Sequence, residues 1–334
     1  MENNTLLKVS HLKTYFATKD GVLPAVDDVS FTVARGEVLG VVGESGCGKS
    51  VLSLSILKLI EKYGGKIQPG SSVKLGEKEL LKMSDRELCD LRGNEVAMIF
   101  QDPMSSLNPV FSIEFQMVET ICRHRKVSKK EARRMALEWL TMVDIPDPEK
   151  RIKEYPYQLS GGMRQRVIIA MALSCEPQML IADEPTTALD VTIQAQIIDL
   201  LKRLKTEINS AIMLITHDFG VVADMADSIM VMYAGKVLEY GTKKQIFRTP
   251  KHPYTQGLLA AVPRMDKSVD RLNSIRGNVP NLLKPIPGCV FCDRCDYAEE
   301  RCRQKRPPMY VMKDGAMVSC WLCEKEAKEV ADEQ

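Results

Sequence analysis

Val38-Leu39-Gly40-Val41-Val42-Gly43-Glu44-Ser45-Gly46-Cys47-Gly48-Lys49-Ser50 decides how the rest of the 334-residue chain is read. Five apolar or small residues spell a buried strand, the next eight fit G-x-x-x-x-G-K-S, and residues 51–60 continue with helical spacing, the context such a loop requires. Glycines let successive backbone N–H groups turn inward around phosphate oxygens, and the helix start adds positive potential. Lys49 would neutralise the β- and γ-phosphates of ATP, and the Ser50 hydroxyl would ligate Mg²⁺. Gly43, Glu44, Ser45, Gly46, Cys47, Gly48, Lys49, Ser50 and Val51 are therefore the candidate nucleotide-binding segment. The plain alternative is a glycine-rich turn that merely joins strand to helix, and the rest of the chain weighs against it.

Outward from this loop, residues 6–241 alternate short apolar runs with amphipathic stretches, the pattern of an α/β sheet flanked by helices. Three runs end in polar groups, where open α/β sheets place their ligands. Residues 37–42 lead into the glycine loop, Met179-Leu180-Ile181-Ala182 into Asp183-Glu184, and residues 211–216 into His217-Asp218. Side chains alternate along a strand, so the two acids take separate roles. Asp183 is predicted to hold Mg²⁺ through water, and Glu184 to polarise the attacking water as general base. His217 would donate to the γ-phosphate or position that water. Gln101, after Met98-Ile99-Phe100, carries an amide able to reach both metal and water. A histidine or glutamine alone at a strand end is more often structural.

Leu159-Ser160-Gly161-Gly162-Met163-Arg164-Gln165-Arg166 opens a helical run to Leu173 and offers a second serine- and glycine-lined helix start suited to an anion. One nucleotide already has its cradle, so Ser160, Gly161 and Gly162 are read as capping the nucleotide of another subunit. This predicts a dimer. Residues 113–142 read as helices, and the basic stretch 123–134 within them, interrupted by Glu131 and followed by Glu138, reads as a solvated helix face rather than a nucleic-acid patch.

Length allows one sizeable core and a smaller unit, so two domains are predicted, residues 1–241 and 242–334, with a helical subdomain at about 102–165. Hydrophobic residues at 45%, charged ones at 27% and a formal charge of +2 give no reason to expect nucleic acid. No apolar run approaches the ~18 residues that span a bilayer, and Met1-Glu2-Asn3-Asn4 lacks the parts of a signal peptide, so a cytoplasmic chain is expected. Cys47, Cys89, Cys122 and Cys175 are scattered, whereas Cys289, Cys292, Cys295, Cys302, Cys320 and Cys323 cluster. In a reducing compartment such a cluster suggests metal, and the proline-rich segment that carries it needs something other than a large core to hold it.

Together these residues carry a resemblance. Residues 6–241 resemble the ATPase subunit of an ABC transporter, with glycine loop, Gln101, the 159–166 signature, the acidic strand, the Thr187-Ala188-Leu189-Asp190 turn and His217 in order. The resemblance implies an α/β P-loop fold with a mixed sheet and a helical subdomain. It also implies an active ATPase, and two subunits bound head to tail around two ATPs, each held by one chain's Lys49 and the other's residues 160–162. Tyr15 resembles the aromatic that stacks on adenine, with Phe16 as the alternative, and Asp190 joins the nucleotide residues. The helical subdomain and the Gln101 region would dock on two permease subunits at the cytoplasmic face of the membrane.

Pro253-Tyr254-Thr255, Ala261-Val262-Pro263-Arg264, Pro287-Gly288-Cys289, Phe291, Arg294-Cys295 and Cys302 are similar to the C-terminal extension of dipeptide and oligopeptide importer ATPases. That likeness implies peptide uptake with an extracytoplasmic substrate-binding protein, and a [4Fe–4S] cluster on Cys289, Cys295, Cys302 and Cys320, stabilising rather than redox-active. Cys292 and Cys323 fall outside the set. Cys289, Cys292 and Cys295 also form a ferredoxin-like C-x2-C-x2-C run, and zinc is the alternative metal. Nickel importer ATPases are similar too. A soluble relative acting on nucleic acid or ribosomes is the remaining alternative, although the coiled coils, zinc insertions or second ATPase half common in such proteins are missing.

Overall fold

The computed structural model describes residues 4–102, 106–187, 189–261 and 275–332. Met1-Glu2-Asn3, Ala188 and Val262-Pro263-Arg264, quoted above, lie outside them. The chain folds into two compact units that interleave along the sequence: residues 1–6, 33–37 and 82–215 in one, and 7–32, 38–81 and 216–334 in the other.

The second unit is built around two sheets. In one, the long strands Thr5–Thr18 and Gly21–Ala34 are neighbours, and Thr5–Thr18 also pairs antiparallel with Gly65–Ile67 and Ser72–Leu75. In the other, Val38–Val42 lies parallel to Ser228–Tyr233, with Leu39 opposite Ser228 and Val42 opposite Val231. Every residue of both strands is buried, as expected for parallel strands covered on both faces. Ser228–Tyr233 turns back into Lys236–Thr242 through Ala234 and Gly235, both in the left-handed region at φ 49° and 76°. This is the two-residue loop whose twist suits a hairpin. Lys236–Thr242 pairs in turn with Met317–Val318, and that strand with Tyr310–Val311. The sheet is thus mixed, and residues beyond 241 supply two of its strands.

The first unit carries a parallel run in which Met179–Asp183 lies between Val96–Ile99 and Ala211–Thr216, with Ile99 opposite Ala182 and Asp183 opposite Ile215. Its helices Ile113–Arg125, Lys129–Met142, Gly161–Leu173 and Val191–Ile208 start on Ser112, Ser128, Ser160 and Asp190, each accepting a backbone N–H of the first turn. Such caps satisfy one of the four N–H groups a helix start leaves without partners. Arginines of the first two helices face acids: Arg123 pairs with Asp90, Arg133 with Glu114 and Glu149, and Arg134 with Glu131 and Glu138.

Candidate functional site

The glycine loop leaves the strand Val38–Val42 and enters the helix Lys49–Ile56. Its path demands glycine at two places. A Cβ on Gly43 would meet the Met232 carbonyl at 2.2 Å, and one on Gly48, at φ 101°, would meet the Ala25 carbonyl at 2.3 Å. The loop is pinned by the neighbouring hairpin, since Gly235 N–H donates to the Cys47 carbonyl at 2.9 Å. Lys49 is 4% exposed and donates through Nζ to the carbonyls of Gly43 at 2.8 Å and Glu44 at 3.0 Å, so its ammonium sits in the mouth of its own loop. Cys47 is buried beside it, and burial pushes its thiol up. Ser50, half-buried, lies in the first turn of the helix.

Glu44 is fully engaged. Its N–H donates to Tyr254 Oη at 2.9 Å, its carbonyl accepts from Lys49, and its carboxylate takes both arms of Arg294 at 2.5 and 2.9 Å. Tyr254 is completely buried against Tyr233 and Phe291. Nothing in the spacing of the loop pointed to either partner.

Tyr15 and Phe16 diverge as strand alternation requires. Tyr15 donates to Asp27 Oδ1 at 2.8 Å, and burial followed by that bond pushes its hydroxyl up to about 12. Burial alone would raise the Asp27 carboxyl, but Lys236, Tyr15 and Arg306 hold it down at about 2. Phe16 packs its ring at Gly65 instead.

In the other unit the parallel register brings Gln101 and Glu184 together. Gln101 Nε2 donates to Glu184 Oε2 at 3.1 Å, and Thr187 Oγ1 donates to the same oxygen at 2.8 Å. Asp183 is 2% exposed at the strand end. Glu184 then turns into the left-handed region at φ 48°, its N–H held by the Ile215 carbonyl at 2.9 Å. A non-glycine residue there costs of order 1 kcal/mol and survives only where its surroundings over-determine it. Here the bent backbone sends the adjacent acid off the line of the strand.

The signature turn is exposed. Ser160 Oγ accepts from Met163 N–H at 3.3 Å and caps a 13-residue helix. Gly161 and Gly162 follow in its first turn, and a Cβ on Gly162 would meet Ile193 at 3.0 Å. Asp190, assigned above to the nucleotide, caps the next helix through Ile193 N–H at 3.0 Å. His217 lies exposed between Thr216 and the cap residue Asp218 of the helix Phe219–Met225.

Cys289, Cys292, Cys295, Cys302 and Cys320 border one apolar cavity; Cys323 does not line it, but is buried with Met312, Ala316 and Val318 in a cluster against which Cys320 packs. His252 lines the same cavity. Its Nδ1 accepts the Tyr254 N–H at 3.0 Å, and its Nε2 is buried with no partner among the described residues. Among the described residues no three His, Cys, Asp or Glu side chains converge on a position for a single metal ion. No helix among them is long and apolar enough to cross a membrane. On the helical region, Phe111 stacks on Phe115 with centroids 4.5 Å apart and Tyr155 on Tyr157 at 5.7 Å, all four exposed.

Comparison with known proteins agrees with these motifs. Residues 26–187 match the ABC transporter family, and residues 238–302 match the C-terminal region of oligopeptide/dipeptide transporters. The oligopeptide transport ATP-binding protein AppD of Bacillus subtilis is 51% identical over 326 residues, covering 98% of this chain and 99% of the relative. The dipeptide transport ATP-binding protein DppD of Escherichia coli is 49% identical over 315 residues, covering 94% and 96%. A dimeric ATP-binding cassette solved in a post-hydrolysis state with ADP and phosphate superposes with a TM-score of 0.62 at 28% identity, covering 71% of this chain and 98% of its own. With half its residues shared over nearly its full length, the chain belongs to the ABC transporter ATP-binding proteins of oligopeptide and dipeptide transport.

Proposed function

We propose that this chain is the ATP-hydrolysing subunit of a membrane importer of dipeptides or oligopeptides, working at the cytoplasmic face of the membrane with a second ATPase subunit, two permeases and an extracytoplasmic binding protein. The observation that carries the hydrolytic part is Gln101 and Thr187 converging on one carboxylate oxygen of Glu184. A carboxylate held in one orientation at the end of a strand can act on an attacking water as general base. Lys49 holds the β- and γ-phosphates, Tyr15 stacks on the adenine, His217 steadies the γ-phosphate, and residues 160–162 of one subunit cap the nucleotide of the other. The stacked aromatics on the helical region support docking of a permease there, because paired exposed rings are what such a surface would bury. The chain divides functionally at residues 241/242, with the extension serving the importer.

Ser50, Gln101 and Asp183 offer a hydroxyl, an amide and a carboxylate, an all-oxygen set that fits Mg²⁺. That ion, when bound, neutralises charge between the β- and γ-phosphates. In the extension, Cys289, Cys295, Cys302 and Cys320 would hold a [4Fe–4S] cluster. What supports a shared metal group is that all four border one cavity, and zinc is the alternative occupant. His252 fits as well: Nδ1 is an acceptor, so neutral imidazole carries its proton on the partnerless Nε2, a donor suited to sulfur anions. When bound, such a cluster would tie distant parts of the extension into one fold.

The deciding experiment is to copurify the complex from membranes and reconstitute it in vesicles with the cognate binding protein. Peptide should stimulate ATP hydrolysis and enter the vesicles. Stimulation by nickel, or recovery of the chain with ribosomes and no permease, would reject the proposal.

A further inference from the structure

Arg294 lies in the turn between Cys292 and Cys295, yet its guanidinium belongs to the nucleotide loop. It is buried, and each of its five N–H groups has an acceptor. Nε donates to the Arg276 carbonyl at 2.9 Å, Nη1 to Glu44 Oε2 and Tyr233 Oη, and Nη2 to Glu44 Oε1 and the Ile275 carbonyl. A fork so fully used fixes its partner in both position and angle. The partner is the second residue of the phosphate loop. Two consequences follow from elementary electrostatics. First, Glu44 carries a negative charge beside the place where a triphosphate binds, and Arg294 neutralises it. Second, the loop must hold several N–H groups in one arrangement, and a tethered Glu44 removes much of its freedom before the nucleotide arrives. Tyr254 acts at the same point by accepting the Glu44 N–H at 2.9 Å. The aromatic pack of Tyr233, Tyr254 and Phe291 supports both contacts.

We infer that Arg294 is a positioning residue of the ATP site, holding and neutralising Glu44 so that the phosphate loop depends on the cysteine-bearing turn of the C-terminal extension. This rests on residues 43–50 being the phosphate-binding loop. The test uses the full chain, with equilibrium binding of Mg–ATP and, separately, the thermal midpoint without nucleotide. Arg294→Gln should weaken ATP binding about tenfold, an effect of the size expected from freeing one loop and unmasking one charge. Arg294→Lys keeps the charge but not the fork and should fall between. In the double variant Glu44→Gln/Arg294→Gln no bare carboxylate remains, so at least half of the lost affinity should return. In the assembled ATPase, Arg294→Gln should raise KM for ATP and leave kcat within about twofold, since the residue touches no reacting atom. Wild-type affinity in Arg294→Gln, or a lowered thermal midpoint with KM unchanged and no rescue by Glu44→Gln, would overturn the inference. If Arg294→Gln does not fold, Arg294→Lys binding ATP as tightly as wild type overturns it too. Failure of the unsubstituted chain to bind Mg–ATP would instead overturn the reading of the loop.

Discussion

Glu184 combines an unfavourable backbone with a carboxylate held by Gln101 and Thr187. Glu184→Gln keeps the shape and the Gln101 neighbourhood but removes the base. ATP binding should persist, phosphate release should fall by about 10²- to 10⁴-fold, and the dimer should stay closed on ATP, as size-exclusion chromatography would show. Normal hydrolysis by this variant would refute the general-base assignment. Lys49→Ala should behave oppositely, losing binding itself in a nucleotide titration, because the buried ammonium at the loop mouth has no substitute. Asp27 makes a separate, pH-dependent prediction. Its folded carboxyl sits at about 2, below the ordinary 3.8, so its contribution to stability is complete above about pH 4 and is lost as pH falls toward 2. Asp27→Asn should therefore cost about 1 kcal/mol at pH 7, with the gap in denaturant midpoint narrowing at pH 3.

At the scale of elements, helix starts do much of the positioning. Asp190 begins an 18-residue helix, and Asp190→Ala should lower stability by about 1 kcal/mol in a denaturant titration. Gly162→Val should press on Ile193 and tilt the signature turn, reducing hydrolysis more than ATP binding by the same chain. These elements were legible because their causes are local. The Val38–Val42 run, the glycines and the serine caps announce themselves over a few residues, and the helices Ile113–Arg125 and Lys129–Met142 fall within the stretch that reads as helical. Arg294 and Tyr254 were illegible as partners of the loop for the converse reason. They stand 250 and 210 residues from Glu44, and no periodicity or spacing carries a pairing over that separation. The only signal was indirect: both lie in the stretches quoted for the extension's likeness to peptide importers.

For the whole molecule, the helical region and the extension face different tests. Replacing Phe111 and Phe115 together by Ala should leave ATP affinity unchanged and abolish copurification with the permeases, since the rings are exposed in the chain alone. In the extension, Cys295→Ser should abolish the visible absorption of protein purified without air. Cys323→Ser should retain it, because Cys323 does not border the cavity.

The bond from Glu44 to Arg294 also bears on how the protein is made. A ribosome adding roughly 5–20 residues per second needs about ten to fifty seconds to travel from one to the other. For that interval the newborn chain carries a nucleotide loop with an unmatched carboxylate and no tether. Early capture of ATP by the nascent chain is therefore disfavoured, and competence arrives late, when the cysteine-bearing turn emerges and folds back onto residues translated long before.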